Sequence, residues 1–200
     1  MVEIEGFVLA GGASSRMGTD KAGLDFGGET FVARAARTLS SIAPRISVVS
    51  SRAEHARLGL AVVPDVHTGA GALGGIHAAL RACRAPWAAI VSCDLPFVTT
   101  ELFARLASFP DDDFDAVAPV QTDGRIQPLC ALYCAATCLR MTEELLAMGE
   151  RRPRVLLRQL RTRWVAPEVL ADLPRAELFF SNVNTPADYE RAKERMKDEG

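Results

Sequence analysis

No run in this sequence approaches the roughly 20 apolar residues that cross a bilayer, residues 86–91 being among the longest, so a helical membrane span is excluded. A basic leader is missing as well. Met1-Val2-Glu3-Ile4-Glu5 is acidic where an export signal would be basic, and no export is expected. Positive charge is not in excess: 23 Lys and Arg stand against 25 Asp and Glu, a net charge of −2. A sequence-blind hold on nucleic acid is thereby excluded, and any anionic ligand must be bound locally. The cysteine count of five is odd for a disulfide framework in a chain long enough to be stabilised by packing. Reduced thiols and a cytoplasmic location are expected. Cys130, Cys134 and Cys138 recur every four residues, but no His or acidic partner stands at a zinc-ligand spacing. The three histidines, His55, His67 and His77, are expected to pair neither with one another nor with a nucleophile, which leaves no Ser–His triad and no covalent mechanism.

What is present is ordinary for a folded protein: 48% hydrophobic and 24% charged residues in 200. That length predicts one domain, 1–200, undivided by linker, repeat or low-complexity segment. Apolar runs at 6–10, 46–50, 60–64 and 88–92 predict buried strands. Helical spacing at 30–41 and 73–83 falls between them. Strands alternating with helices predict a three-layer α/β fold, a mostly parallel sheet with helices on both faces. Beyond Asp111-Asp112-Asp113 the rhythm changes. Strands at 115–120 and 127–133, joined by the turn Thr122-Asp123-Gly124-Arg125, predict a late antiparallel element. Helices at 135–148 and 154–160, an edge strand at 163–165, a strand at 178–183 and a helix from Pro186 complete the reading, with 125–177 forming a lobe over one side of the sheet.

The strongest motif follows the first strand directly: Leu9-Ala10-Gly11-Gly12-Ala13-Ser14-Ser15-Arg16-Met17-Gly18-Thr19-Asp20-Lys21. Glycines let backbone amides converge on an anion, Arg16 can fork two donors onto phosphate oxygens, and Lys21 adds a point charge. The pattern suits a polyphosphate, yet it is neither a Walker loop nor a Gly-x-Gly-x-x-Gly turn. Asp94, in Ser92-Cys93-Asp94-Leu95-Pro96-Phe97 at a strand's carboxyl end, is placed to hold Mg²⁺ against phosphate oxygens or to cap the next turn. Asp65 can accept from the Watson–Crick edge of guanine, from ribose hydroxyls, or from a turn. The run Gly69-Ala70-Gly71-Ala72-Leu73-Gly74-Gly75-Ile76 leads into a helix start that favours negative ligands. Gln127, Gly149-Glu150-Arg151-Arg152 and Asn182-Val183-Asn184 are weaker polar signals, the two asparagines being expected on one face of the last strand.

Taken together these motifs closely resemble the molybdenum cofactor guanylyltransferase family. Leu9-Ala-Gly-Gly with Ser14, Arg16-Met-Gly and Asp20-Lys21 carries the resemblance, along with Gly75-Ile76, Cys93-Asp94-x-Pro-Phe97, Gln127-Pro-Leu-x-Ala-Leu-Tyr133, Gly149-x-Arg-Arg152 and Asn182-x-Asn-Thr-Pro186. The resemblance implies a Rossmann-like nucleotidyltransferase fold that moves GMP from GTP onto the phosphate of molybdenum-loaded molybdopterin, with Mg²⁺ and release of pyrophosphate. It implies that Leu9, Ala10 and Gly11 with Lys21 hold GTP, that Asp65 fixes the guanosine, and that Asp94 binds Mg²⁺. Gly75, Gln127, Arg152, Asn182 and Asn184 would face the pterin. Cofactor-assembly proteins and acceptor molybdoenzymes are the further partners it allows. Alternatives are a cytidylyl or sugar-phosphate nucleotidyltransferase, or a non-catalytic carrier of the cofactor. Ala72 departs from the family's Pro, and Ser50-Ser51-Arg52 stands where the family often has an Asn before the Arg, which removes an amide able to contact the base or its surroundings and makes guanine selectivity less secure than nucleotidyl transfer.

Overall fold

The computed structural model describes residues 2–11, 23–51, 59–65, 67 and 69–197. Seven strands form one sheet in the order β3-β2-β1-β4-β6-β5-β7. The first four are β1 (Ile4–Leu9), β2 (Ile46–Val49), β3 (Ala61–Val63) and β4 (Trp87–Ser92), all parallel. β5 (Ala116–Pro119), β6 (Cys130–Cys134) and β7 (Thr162–Val165) complete it. Only β6 runs against its neighbours β4 and β5, so the late antiparallel element is there, and β7 takes the expected edge beside β5.

Burial explains the apolar runs. Every residue of β1 and of β4 is buried, because helices cover both faces of the sheet. Alternate residues feed different clusters: Ile4, Val8, Ala89 and Val91 point to one side, and Phe7, Leu9, Ala88 and Ile90 to the other. On the first side pack α1 (Phe31–Leu39), α3 (Thr100–Leu106) and, through Ala192, α6 (Pro186–Lys197). On the second pack α2 (Gly71–Ala82), α4 (Ala135–Ala147) and α5 (Pro153–Gln159). Helix α1 forms because Phe31, Val32, Ala35, Ala36 and Leu39 make one apolar stripe, and Thr30 caps it by accepting from the Ala33 N–H. Burying Phe31, Val32 and Leu39 is worth about 1.5–3 kcal/mol each. None of the described helices is long and apolar enough to cross a membrane.

Three expectations fail. Residues 178–183 are not a strand: a 3-10 turn, Ala176–Leu178, leads into coil. Their apolar character comes from Phe179 and Val183 filling the α1/α3 cluster, which needs no ladder. The strand face that was to carry Asn182 and Asn184 is therefore absent. The 125–177 segment is not a lobe over one side, since α4 and α5 cover the α2 face while Leu170 joins the opposite cluster. Helix α3 was not foreseen, although Thr99 caps it and Leu102, Phe103 and Leu106 give its buried stripe.

Candidate functional site

The parallel strands deliver their carboxyl ends to one edge, where open α/β sheets bind ligands. Leu9 ends β1 there, its carbonyl accepting from Cys93 N–H at 3.1 Å, while the Ala10 N–H donates to Val49 O at 3.0 Å. Leu9 and Ala10 are thereby held between β2 and β4. A cleft at this edge is lined by Leu9, Gly11, Asp65, Gly71, Gly75 and Leu129, among others, so four of the expected residues, Leu9, Gly11, Asp65 and Gly75, share one space. Gly12, Ser14, Arg16 and Lys21 lie outside the described residues, as does Arg52.

Why glycine is needed differs along the cleft. Gly71, at the start of α2, has φ +62°, a left-handed backbone that side chains resist. A Cβ on Gly74 would meet Ala70 Cβ at 3.0 Å and Asp65 Oδ1 and His67 Cβ at 3.3 Å. Gly75, the residue singled out from the sequence, packs less tightly, with Leu9 Cδ1 at 3.5 Å from an added Cβ. Gly74 is thus the residue that lets the Asp65 loop close on α2. Asp65 steers that loop itself by accepting the His67 N–H at 3.1 Å. Against expectation two of the histidines meet, the His67 and His77 rings standing edge to face with centroids 4.4 Å apart, while His55 lies outside the described residues. His77 is 3% exposed, and burial followed by the neighbouring His67 holds its pKa below the usual value.

Asp94, half-buried, follows β4 in a loop braced from four directions. Its carbonyl accepts from Val183 N–H at 2.9 Å, and Arg34 Nε donates to Pro96 O at 2.6 Å. Phe26 meets Phe97 edge to face at 5.8 Å, and Arg175 lies 5.3 Å over the Phe97 ring. The Val183 bond brings 182–184 to Asp94 without a strand. Asn182 is exposed and lines a separate hollow with Phe97, Asp188 and Arg191, while Asn184 is half-buried and donates its N–H to Asp188 Oδ2 at 3.0 Å.

Gln127 and Arg152 open onto a larger cavity of about 580 Å³. Because β6 runs backwards, the residues before it, not after it, reach the ligand edge. The ladder begins at Cys130, so Gln127 precedes the strand, its N–H donating to Pro119 O at 3.0 Å. Leu129 O accepts from Ser92 N–H at 2.8 Å and lines the first cleft, which ties the two spaces together. Arg125, Arg151, Arg154 and Arg158 also line the cavity. Arg154 and Arg158 escaped the sequence reading. Their signal was the i, i+4 spacing behind Pro153.

All five cysteines are free thiols, and desolvation pushes Cys83 up to about 12 and drives buried Cys130 and Cys138 upward too. Inert thiols of this kind are structural.

The profile of the MobA-like NTP transferase domain matches residues 6–164. A probable molybdenum cofactor guanylyltransferase of Pelotomaculum thermopropionicum is 37% identical over 96% of this chain and 93% of its own length. Its counterpart in a Geobacillus species is 32% identical over 95% and 98%. Among solved structures, molybdopterin-guanine dinucleotide biosynthesis protein A from Archaeoglobus fulgidus superposes with a TM-score of 0.81, at 26% identity over 97% of this chain and 99% of that one.

Proposed function

The chain belongs to the MobA-like NTP transferase family and is a nucleotidyltransferase, and on that premise we propose that it transfers GMP from GTP to the phosphate of molybdenum-loaded molybdopterin. The observation that carries this reading is the cleft at the sheet's carboxyl edge, where Leu9, Gly11, Asp65 and Gly75 meet beside the arginine-lined cavity. The first carries the backbone and carboxylate groups this reading gives to the nucleotide, and the second is lined by arginines that suit an anionic reactant.

In the proposed reaction an acceptor phosphate oxygen attacks the α-phosphorus of GTP. A new P–O bond forms, the α–β bridge breaks, and pyrophosphate leaves with the electron pair. The nucleophile is already an anion, so the protein must position two reactants and neutralise charge more than abstract a proton. Asp65 would accept from guanine N1–H and the N2 amino group, while the Leu9–Gly11 backbone and Lys21 would hold the triphosphate. Gln127 would face the pterin in the arginine-lined cavity, whereas Gly75, which the resemblance assigns to the pterin, lines the nucleotide cleft and Asn182 a separate hollow.

Asp94 would fit a divalent cation by its chemistry: a hard carboxylate oxygen donor on a loop braced by Val183 and Arg34. That donor set suits Mg²⁺, which keeps waters and takes the rest of its shell from substrate phosphates. When bound it would supply charge neutralisation at the triphosphate. Cofactor-assembly proteins and acceptor molybdoenzymes would deliver the pterin and receive the product.

Pyrophosphate release from each of ATP, GTP, CTP and UTP, with and without molybdenum-loaded molybdopterin, tests the reading. Release from GTP that depends on the acceptor is expected. Preference for CTP, transfer to a sugar phosphate instead, or no release from any nucleotide would overturn it.

A further inference from the structure

Arg152, which the family resemblance assigns to the pterin, is already committed within the protein. Glu150 accepts from Arg152 Nε at 2.8 Å and from its NH2 nitrogen at 2.6 Å, and also from the backbone N–H of Arg151 at 2.8 Å and of Arg152 at 2.9 Å. Four donors on one carboxylate close the turn between α4 and α5. Those bonds, Arg152's side chain first, pull the Glu150 carboxyl down to about 2, so the pair stays an ion pair throughout the working pH range. Arg125 is likewise matched, by Asp123 at 2.6 Å.

Arg151, Arg154 and Arg158 have no ion pair among the described residues, yet they line the same 580 Å³ cavity as Gln127. Five guanidiniums against two carboxylates leave this cavity at +3 in a chain whose net charge is −2. The whole surplus sits on the three unmatched arginines. Arg154 and Arg158 are one helical turn apart on α5, whose other face is fixed by fully buried Leu156 and Leu157. The cavity also adjoins the nucleotide cleft: a Cβ on Gly71, which lines the cleft, would come within 3.9 Å of Arg151 O.

We infer that Arg151, Arg154 and Arg158 grip the phosphate monoester of the acceptor, and that Arg152, clamped by Glu150, is a positioning residue that shapes the turn without touching that phosphate. The inference rests on the proposed phosphate-bearing acceptor. A phosphate monoester carries about −1.5 to −2 at neutral pH. Only unmatched guanidiniums can offset that charge without first giving up a partner.

Four variants separate the roles: R154A/R158A, R154K/R158K, R152A and E150A/R152A, each measured for KM and kcat toward GTP and acceptor separately, with thermal melting as a folding control. R154A/R158A is expected to raise acceptor KM at least about tenfold, the loss of charge-assisted hydrogen bonds, with GTP KM within about twofold. R154K/R158K should recover part of it. R152A leaves the Glu150 charge without its ion-pair partner beside the cavity, held only by two backbone N–H groups, so removing Glu150 too should restore acceptor KM toward wild type. Were Arg152 itself the contact, the double variant would be as impaired as R152A. That result, or an unchanged acceptor KM in R154A/R158A, overturns the inference. Calorimetric titration with inorganic phosphate supplies a readout independent of turnover: wild type should bind one phosphate per chain more than R154A/R158A, and equal binding also overturns it. Failure of wild type to use the molybdenum-loaded pterin would instead sink the proposed function, and the phosphate titration would still decide the role of the arginines.

Discussion

Asp94 sits on a loop whose backbone is held by residues from α1, from 183 and from the Phe26–Phe97 contact, so its carboxylate can be altered without loosening its support. Asp94→Ala should therefore lower kcat at least about 100-fold, the loss usual for one preorganised electrostatic group. The melting temperature should shift by no more than about 4 °C, equivalent to roughly 1 kcal/mol in a chain of this size. Steady-state kinetics with GTP and a thermal melt check both halves; activity within about threefold of wild type would remove Asp94 from the mechanism. That Leu9, Gly11 and Asp65 share one cleft was legible because a glycine and a carboxylate directly after apolar strands mark the ligand edge of a parallel sheet, whereas Gly75, inside α2, came from the family resemblance. Gly74 was not, because its tightness comes from Asp65 and Ala70 folding back on α2, a contact that no local pattern displays. Nor was the freedom of Arg154 and Arg158: an arginine's partners are set by which turn lies across from it, here 124–128.

Helix α6 shows how one element carries its stability to the site. Thr185 Oγ1 accepts the Asp188 N–H at 3.1 Å, and Asp188 Oδ2 accepts the N–H of Thr185 at 2.8 Å and of Asn184 at 3.0 Å, a reciprocal cap with Pro186 in the first turn. Thr185→Ala should cost about 1 kcal/mol, or about 2–4 °C in melting temperature. Asp188→Asn, which weakens the acceptor for two backbone donors, should cost at least as much, and a melting curve of each variant measures it. A variant as stable as wild type would show the cap to be idle. The cap was legible as Asn184-Thr185-Pro186. Helix α3 was missed because seven residues give too short a stripe to stand out. The strand called at 178–183 fails for a different reason: alternating burial looks alike whether a segment pairs in a sheet or lies across the end of a core.

At the scale of the whole molecule, two buried ionisable contacts contribute to the response to pH in opposite ranges. His77 is buried with Nδ1 lacking a partner among the described residues; burial and His67 hold its pKa down, against the smaller opposing effect of Glu143 at 3.7 Å. The unfolded chain takes up a proton near pH 6.5 that the folded chain resists, so stability should fall as pH drops below about 6.5. Asp115 acts lower on the scale. Arg161 donates to it from Nε, NH2 and N–H at 3.0, 2.9 and 3.1 Å and lowers its pKa, so its contribution is full above about 4 and is lost as pH falls through the lowered folded value. Urea midpoints from pH 8 to 5 should decline in wild type and decline less in His77→Phe; parallel curves would refute the assignment. The bond from Val183 to Asp94 has a further consequence, one of timing. The two residues are 89 positions apart, so at 5–20 residues per second a ribosome needs about 4–18 s to supply the second after the first. Throughout that interval the strands β1 to β4 exist while the aspartate loop lacks its last brace and Phe179 and Val183 are still missing from the α1/α3 cluster, so the core and the site are completed together.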